Sequence, residues 1–149
     1  MYKLSLPQYN LSVKKMQNKQ YVFDVLRKKY VRLTPEEWVR QHIIQFLIQE
    51  KKYPISLMNS EVGLELYSLS KRADVLSYTS QGNPLLLVEC KSPKVSINQN
   101  VFEQIAHYNI VLKAPFLVVT NGINTFVCEI DFYTKSYTFL REIPEYKNS

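Results

Sequence analysis

Two short apolar runs, separated by a cluster of turn residues, constrain this chain more than any other feature. The first reads Arg72-Ala73-Asp74-Val75-Leu76 and the second Leu85-Leu86-Leu87-Val88-Glu89-Cys90-Lys91, with Ser80-Gln81-Gly82-Asn83-Pro84 between them. Turn residues between apolar runs predict a β-hairpin. Folded symmetrically about Gln81-Gly82, the hairpin sets Asp74 opposite Glu89. Side chains alternate along a strand, so Glu89 and Lys91 share one face while Val88 and Cys90 share the other. The hairpin therefore predicts two carboxylates and an ammonium gathered on one patch.

Carboxylates held that close repel unless one is protonated or a cation lies between them. Oxygen ligands of this kind suit a hard divalent ion, Mg²⁺ first and Mn²⁺ second. Asp74 and Glu89 are the candidate metal ligands, with the Cys90 backbone carbonyl as a further oxygen. A metal beside a lysine is a place to activate water against a phosphodiester.

Around this hairpin the chain reads as one mixed α/β domain. Its 149 residues can bury a substantial core. An antiparallel pair is expected near Tyr2 to Tyr9 and Tyr21 to Leu26. Thr34-x-x-Glu37 is a capping box with Pro35 at the first helical position, so a helix is predicted from Thr34 to about Lys51, ended by Tyr53-Pro54. Strands are expected near Glu61 to Tyr67, Arg72 to Tyr78 and Leu85 to Cys90. Ser96 caps a second predicted helix, running to about Lys113 and stopped by Pro115. Strands at Phe116 to Thr120, Thr125 to Ile130 and Tyr137 to Leu140 complete the reading, with an Asn121-Gly122 turn between the first two.

On the first helix Val39, Ile43, Ile44, Phe46 and Leu47 form the apolar face, and Glu36 falls near its middle. Glu37 sits at the edge, where the capping box already employs it. A carboxylate aimed at a core is costly unless it meets a metal, a cation or hydrogen bonds. Both glutamates would also suit a helix N-terminus on electrostatic grounds alone. On the second helix Val101, Ile105, Tyr108 and Leu112 form the apolar stripe, with Gln104 at its edge. Neither His42 nor His107 lies on its helix's stripe.

Net charge is +6, and much of the excess precedes residue 33, in Lys14, Lys15, Lys19, Arg27, Lys28, Lys29 and Arg32. Such a segment is either a solvated surface or a phosphate-binding one. Cys90 and Cys128 lie in apolar runs and read as buried thiols rather than a disulfide framework or a zinc site. With three glycines there is no P-loop, dinucleotide fingerprint or nucleophile elbow. No apolar run reaches the roughly 20 residues of a membrane span. The first residues lack the apolar stretch of a secretory signal, so a cytoplasmic location is expected.

The order Asp74…Glu89-x-Lys91 resembles the PD-(D/E)xK nucleases of the restriction-endonuclease-like fold. The nearer resemblance is to the N-terminal nuclease domain of type I restriction enzyme R subunits. It is carried by Arg27-Lys28-Lys29-Tyr30, Leu33-Thr34-Pro35-Glu36-Glu37-Trp38-Val39-Arg40-Gln41, Lys71-Arg72-Ala73-Asp74, Leu87-Val88-Glu89-Cys90-Lys91-Ser92-Pro93, Gln104-x-x-x-Tyr108-Asn109 and Leu117-Val118-Val119-Thr120-Asn121-Gly122, roughly residues 25 to 125. The resemblance implies a mixed central sheet flanked by helices, with residues 1–33 a basic extension and 34–149 the core.

It also implies a Mg²⁺-dependent nuclease acting on DNA in a restriction-modification system. Asp74, Glu89 and Lys91 would be catalytic, with Glu36, matched through the Glu36…Arg40 spacing, assisting through the metal's water shell. Gln104 and Tyr108 resemble the motif that supports the site and its DNA contacts. Arg72 would reach a phosphate or pair with Glu61 or Glu89, while Lys28 and Lys29 would bind nucleic acid. Without the ATP motor of the whole enzyme, the domain would act free-standing, as a homodimer, or with other restriction subunits. The alternatives are a nucleic-acid-binding module that keeps the fold without turnover, and a structural subunit.

Overall fold

The computed structural model describes residues 2–65 and 72–147. Three strands come first: β1 (Val13–Met16), β2 (Lys19–Asp24) and β3 (Lys29–Arg32), paired antiparallel in that order. Helix α1 (Pro35–Gln49) and a 3₁₀ turn (Ile55–Leu57) lead into β4 (Met58–Gly63), β5 (Arg72–Tyr78) and β6 (Pro84–Cys90). Helix α2 (Gln99–Leu112), β7 (Phe116–Thr120), β8 (Thr125–Asp131) and β9 (Ser136–Leu140) complete the order. Strands β4 to β9 form one six-stranded sheet in sequence order, antiparallel except for the parallel β6–β7 pair. A parallel pair needs a crossover, which α2 supplies.

Each helix covers one face of that sheet. Val39, Ile43, Ile44 and Leu47 of α1 pack with Val75, Leu86, Val88, Val118 and Val127. Phe102, Ile105, Tyr108 and Leu112 of α2 pack with Leu76, Leu87, Leu117, Val119 and Cys128. Central strands buried on both sides read as continuous apolar runs rather than alternating ones, which is why Leu85 to Val88 carries no polar residue. The predicted hairpin has the predicted register. Val75 faces Val88 and Leu76 faces Leu87, and the chain reverses through Gly82, whose φ is +87°.

Several boundaries differ from expectation. Tyr2 to Tyr9 forms no strand; β2 pairs instead with Val13–Met16 across a two-residue turn, Gln17-Asn18, with both φ values positive. That turn shape favours Asn and Gly, and only Asn18 signals it here. The Tyr2–Tyr9 segment lies across the domain instead, with Leu4 and Leu6 against the core and the Ser5 N–H donating to the Gly122 carbonyl at 2.7 Å. Asn98, not Ser96, caps α2, its side chain accepting from the Val101 N–H at 2.9 Å. Strand β4 begins three residues before the expected Glu61, and Tyr67 and Lys71 fall outside the described residues. His42 is buried, off the apolar stripe yet enclosed by Trp38 and Tyr9, with Nδ1 at 2.9 Å from the Trp38 carbonyl. Burial holds its pKa below the usual histidine value.

Candidate functional site

The acidic residues of the hairpin sit where β5 and β6 stop pairing. The ladder register, continued one step, places Asp74 across from Glu89, but its last pair is Val75–Val88. Beyond it the two carboxylates take different partners. Asp74 Oδ2 accepts the Cys90 N–H at 2.7 Å, and Oδ1 lies 3.4 Å from Arg40 Nη2 of α1. Glu89, on the α2 side, accepts the hydroxyl of Tyr108. Asp74, Glu89 and Tyr108 are all buried. Cys90 itself turns its thiol into the core beneath α1. Desolvation raises that thiol's pKa, and the charges of Asp74, Glu89 and Glu36 raise it further, against Arg40. The two carboxylates thus leave the end of β6 on different sides, Asp74 towards Arg40 of α1 and Glu89 towards Tyr108 of α2, rather than on the single patch the alternation predicts.

Lys91 follows directly. Its backbone N–H donates to the Thr120 carbonyl at 2.8 Å, extending the β6–β7 pairing by one bond and fixing where the half-buried side chain starts. The next loop is pinned by Asn121, whose side-chain amide donates to the Val95 carbonyl at 2.8 Å. Gly122, at φ +85°, completes that turn; a Cβ there would meet Leu4 Cδ2 at 2.7 Å, so only glycine suits the position.

The two glutamates of the first turn of α1 divide differently from the sequence reading. The Glu37 backbone N–H does donate to Thr34 Oγ1 at 3.0 Å, as a capping box requires. Its carboxylate does not return to Thr34. It is buried, with Oε1 3.2 Å from Arg27 Nη2 and 3.7 Å from Arg40 Nη1, and with Oε2 accepting from Gln41 at 2.8 Å. Helical phasing alone could not show this, because Arg27 arrives from outside the helix.

Glu36 is half-buried. Desolvation first, and the nearby charge of Asp74 second, push its pKa above the ordinary carboxylate value, against Arg40 and Lys91. A raised folded-state pKa means that the ionised group costs stability as pH rises through it. Glu36→Gln should therefore raise the melting temperature at pH 7 in EDTA, and the gain should vanish below the unfolded carboxylate range. A melting temperature equal to wild type at both pH values would overturn the placement.

Arg40 is the residue that sequence reasoning under-used. Its side chain is 6% exposed and links three carboxylates: Glu61 at 2.5 Å, Asp74 at 3.4 Å and Glu37 at 3.7 Å. Burial alone would lower its pKa, but these charges reverse the effect and keep it fully protonated. The chain of pairs continues through Arg27 to buried Asp24, at 2.5 Å, which also accepts from Ser60 at 3.1 Å. The Glu36…Arg40 spacing was the available signal for Arg40. Glu61, expected from the sequence only as a partner of Arg72, pairs with Arg40 instead, from a β4 position with φ of +53°.

Arg72 is exposed, and its Nη1 donates to the Glu61 backbone carbonyl at 3.3 Å rather than to a carboxylate. Gln104 is exposed one turn before Tyr108 on α2. Lys28 and Lys29 are exposed at the β2–β3 turn, away from the acid cluster in the chain.

The donors present at the end of β6 are oxygen-rich: Asp74, Glu89, Glu36 and the Cys90 carbonyl. Glu36 and Asp74 repel one another in a poorly solvated place, a condition that a hard cation relieves. Among the described residues, no three acidic, histidine or cysteine side chains already converge on one metal position. Oxygen donors of this kind are those that a hard divalent ion takes.

No helix among the described residues is long and apolar enough to cross a membrane. No curated protein matches the chain significantly. Residues 35–144, which hold Glu36, Arg40, Asp74, Glu89, Lys91 and Tyr108 in one α/β unit, match the family model of the type I restriction enzyme R protein N terminus. With that match running from the first residue of α1 to beyond β9, the chain belongs to this family, which links it to type I restriction systems.

Proposed function

We propose that this chain is a Mg²⁺-dependent nuclease acting on DNA within a restriction system. The observation that supports the reading is that Asp74, bonded to the Cys90 N–H, and Glu89, bonded to Tyr108, flank the end of β6 with Lys91 next in the chain. Asp74, Glu89 and the Cys90 carbonyl would hold the ion, with Mn²⁺ as a substitute, and Glu36 would reach its water shell. When bound, the ion would supply charge neutralisation and a more acidic water.

The side chains have separate tasks. Tyr108 fixes the Glu89 carboxylate through its hydroxyl, and the Cys90 N–H fixes Asp74. Lys91 would orient or deprotonate the attacking water and offset charge developing on the phosphoryl oxygens. Arg72 and Gln104, both exposed, would contact the DNA backbone, while Lys28 and Lys29 would add sequence-independent affinity. DNA and other restriction subunits are the expected partners, and the cytoplasm the expected location.

A second reading has its own support. Asp74 already has a cationic partner in Arg40 and a backbone donor in Cys90, an arrangement that would also suit a binding module without turnover. Metal binding separates the two. A ligand bound only by the folded state stabilises it by about 2.7 kcal/mol at a hundredfold excess over its dissociation constant. Mn²⁺ and Mg²⁺ should raise the wild-type melting temperature, and Asp74→Ala should abolish the rise. An identical metal response in both proteins would remove Asp74 from the metal site and favour the binding module.

A further inference from the structure

Residues 12–33 contain seven basic side chains (Lys14, Lys15, Lys19, Arg27, Lys28, Lys29 and Arg32) and one acidic one, Asp24. That excess equals the +6 of the whole chain, because the remaining twelve basic and twelve acidic side chains cancel. The one acid is fully buried and paired to Arg27. The β1–β2–β3 sheet is therefore a cationic surface with no exposed carboxylate of its own.

The face that carries Tyr21, Phe23 and Tyr30, each half-buried, is also aromatic. Strand pairing sets Lys14, Tyr21 and Arg32 in one row across the three strands, and Phe23 beside Tyr30 in the next. Val22 and Asp24, the alternate residues of β2, are fully buried, so Tyr21 and Phe23 point the other way. The side chains confirm that they share this face. The Phe23 and Tyr30 rings meet edge to face at 5.3 Å, Lys14 Nζ lies 4.0 Å from the Tyr30 ring centre, and Ser12 Oγ is 2.8 Å from the Tyr30 hydroxyl. Tyr21 thus sits between two cations on the central strand, and Phe23 opens onto a cleft of about 430 Å³ shared with Asn10, Gln45 and Gln49.

From this array we infer that the β1–β3 face binds single-stranded nucleic acid, bases stacking on Tyr21 and Phe23 while Lys14 and Arg32 take the flanking phosphates. Aromatic platforms between cations hold single strands because every base has a π-face. Residues two apart on a strand are about 6.8 Å apart, twice the roughly 3.4 Å step of a duplex strand, so the platform takes splayed bases and not a stacked helix. The inference rests on the nucleic-acid reading of this chain but not on the acid cluster at Asp74.

The test is fluorescence anisotropy of the full chain in EDTA, with labelled oligo(dT) and a duplex of equal length, at several salt concentrations. Wild type should bind the single strand more tightly than the duplex. Tyr21→Ala should weaken single-strand binding about tenfold and change duplex binding less than twofold, while Tyr21→Phe keeps the stacking surface and the affinity. Lys14→Gln with Arg32→Gln should weaken both ligands and lower the single-strand salt slope by about 0.7 per lost contact. Circular dichroism of each variant verifies the fold. Single-strand affinity unchanged in folded Tyr21→Ala would overturn the proposal, as would phosphatidylserine vesicles competing as well as the oligonucleotide. Because binding is read without metal, its failure leaves the cleavage reading standing, and an inert acid cluster leaves this one standing.

Discussion

Lys91→Ala should lower DNA cleavage by about 10²–10³-fold, the scale expected when one charge-stabilising group is removed from a phosphoryl-transfer site, while DNA affinity stays within about twofold of wild type. The split follows from where Lys91 sits. Its backbone is pinned to Thr120 directly after β6 and two residues after Glu89, on the six-stranded sheet and not in the basic three-stranded one. As one of 19 lysines and arginines, it adds little to phosphate binding. Single-turnover cleavage with Mg²⁺ and binding with EDTA read the two effects separately. Cleavage by Lys91→Ala at the wild-type rate would end its catalytic assignment. A parallel loss of affinity would make it a phosphate contact instead.

Arg40→Met should cost about 3–5 kcal/mol of stability, the usual penalty for removing one member of a buried ion-pair cluster. Methionine fills much of the same space, so the cost is electrostatic: Glu37, Glu61 and Asp74 lose the cation they share. For a domain of this size that corresponds to a fall in melting temperature of roughly 10 °C. Urea unfolding of both proteins at pH 7 measures it. A deficit under about 1 kcal/mol, the scale of an exposed ion pair, would mean that the three carboxylates do not depend on Arg40.

The candidate site shows how far local rules reach. The β5–β6 register was legible because a five-residue turn cluster separates two apolar runs, and the turn of a hairpin fixes which residues of its arms pair. The same alternation correctly separated Glu89 from Cys90, whose side chains pack on opposite sides of β6. Phasing on α1 identified Val39, Ile43, Ile44 and Leu47 as core but assigned Glu37 to its own helix cap. That failure was local by construction. A carboxylate bonds whichever donor is nearest in space, and Arg27 lies ten residues away in sequence.

Boundaries failed where the signal was weak for a physical reason. Strand β1 is exposed along its whole length, so no alternation marks it, and Tyr2 to Tyr9 looked the better partner for β2. Tyr108 was legible as a core aromatic from its spacing, and its hydroxyl found Glu89 only because α2 crosses the sheet face on which Glu89 emerges.

Apolar periodicity and turn chemistry, both written in the chain, were enough to specify two helices, the central hairpin and the residues at its open end. They were enough because each depends on neighbours within a few positions, where backbone geometry dictates which side chains share a face. Which carboxylate meets which cation was not written there. The pairing of Arg40 with Glu61, Glu37 and Asp74, and the meeting of Lys14 with Tyr30 across the β2 strand, join residues on separate elements. Coulomb and hydrogen-bond energies depend on distance in space, and those distances exist only once the sheets and helices have packed.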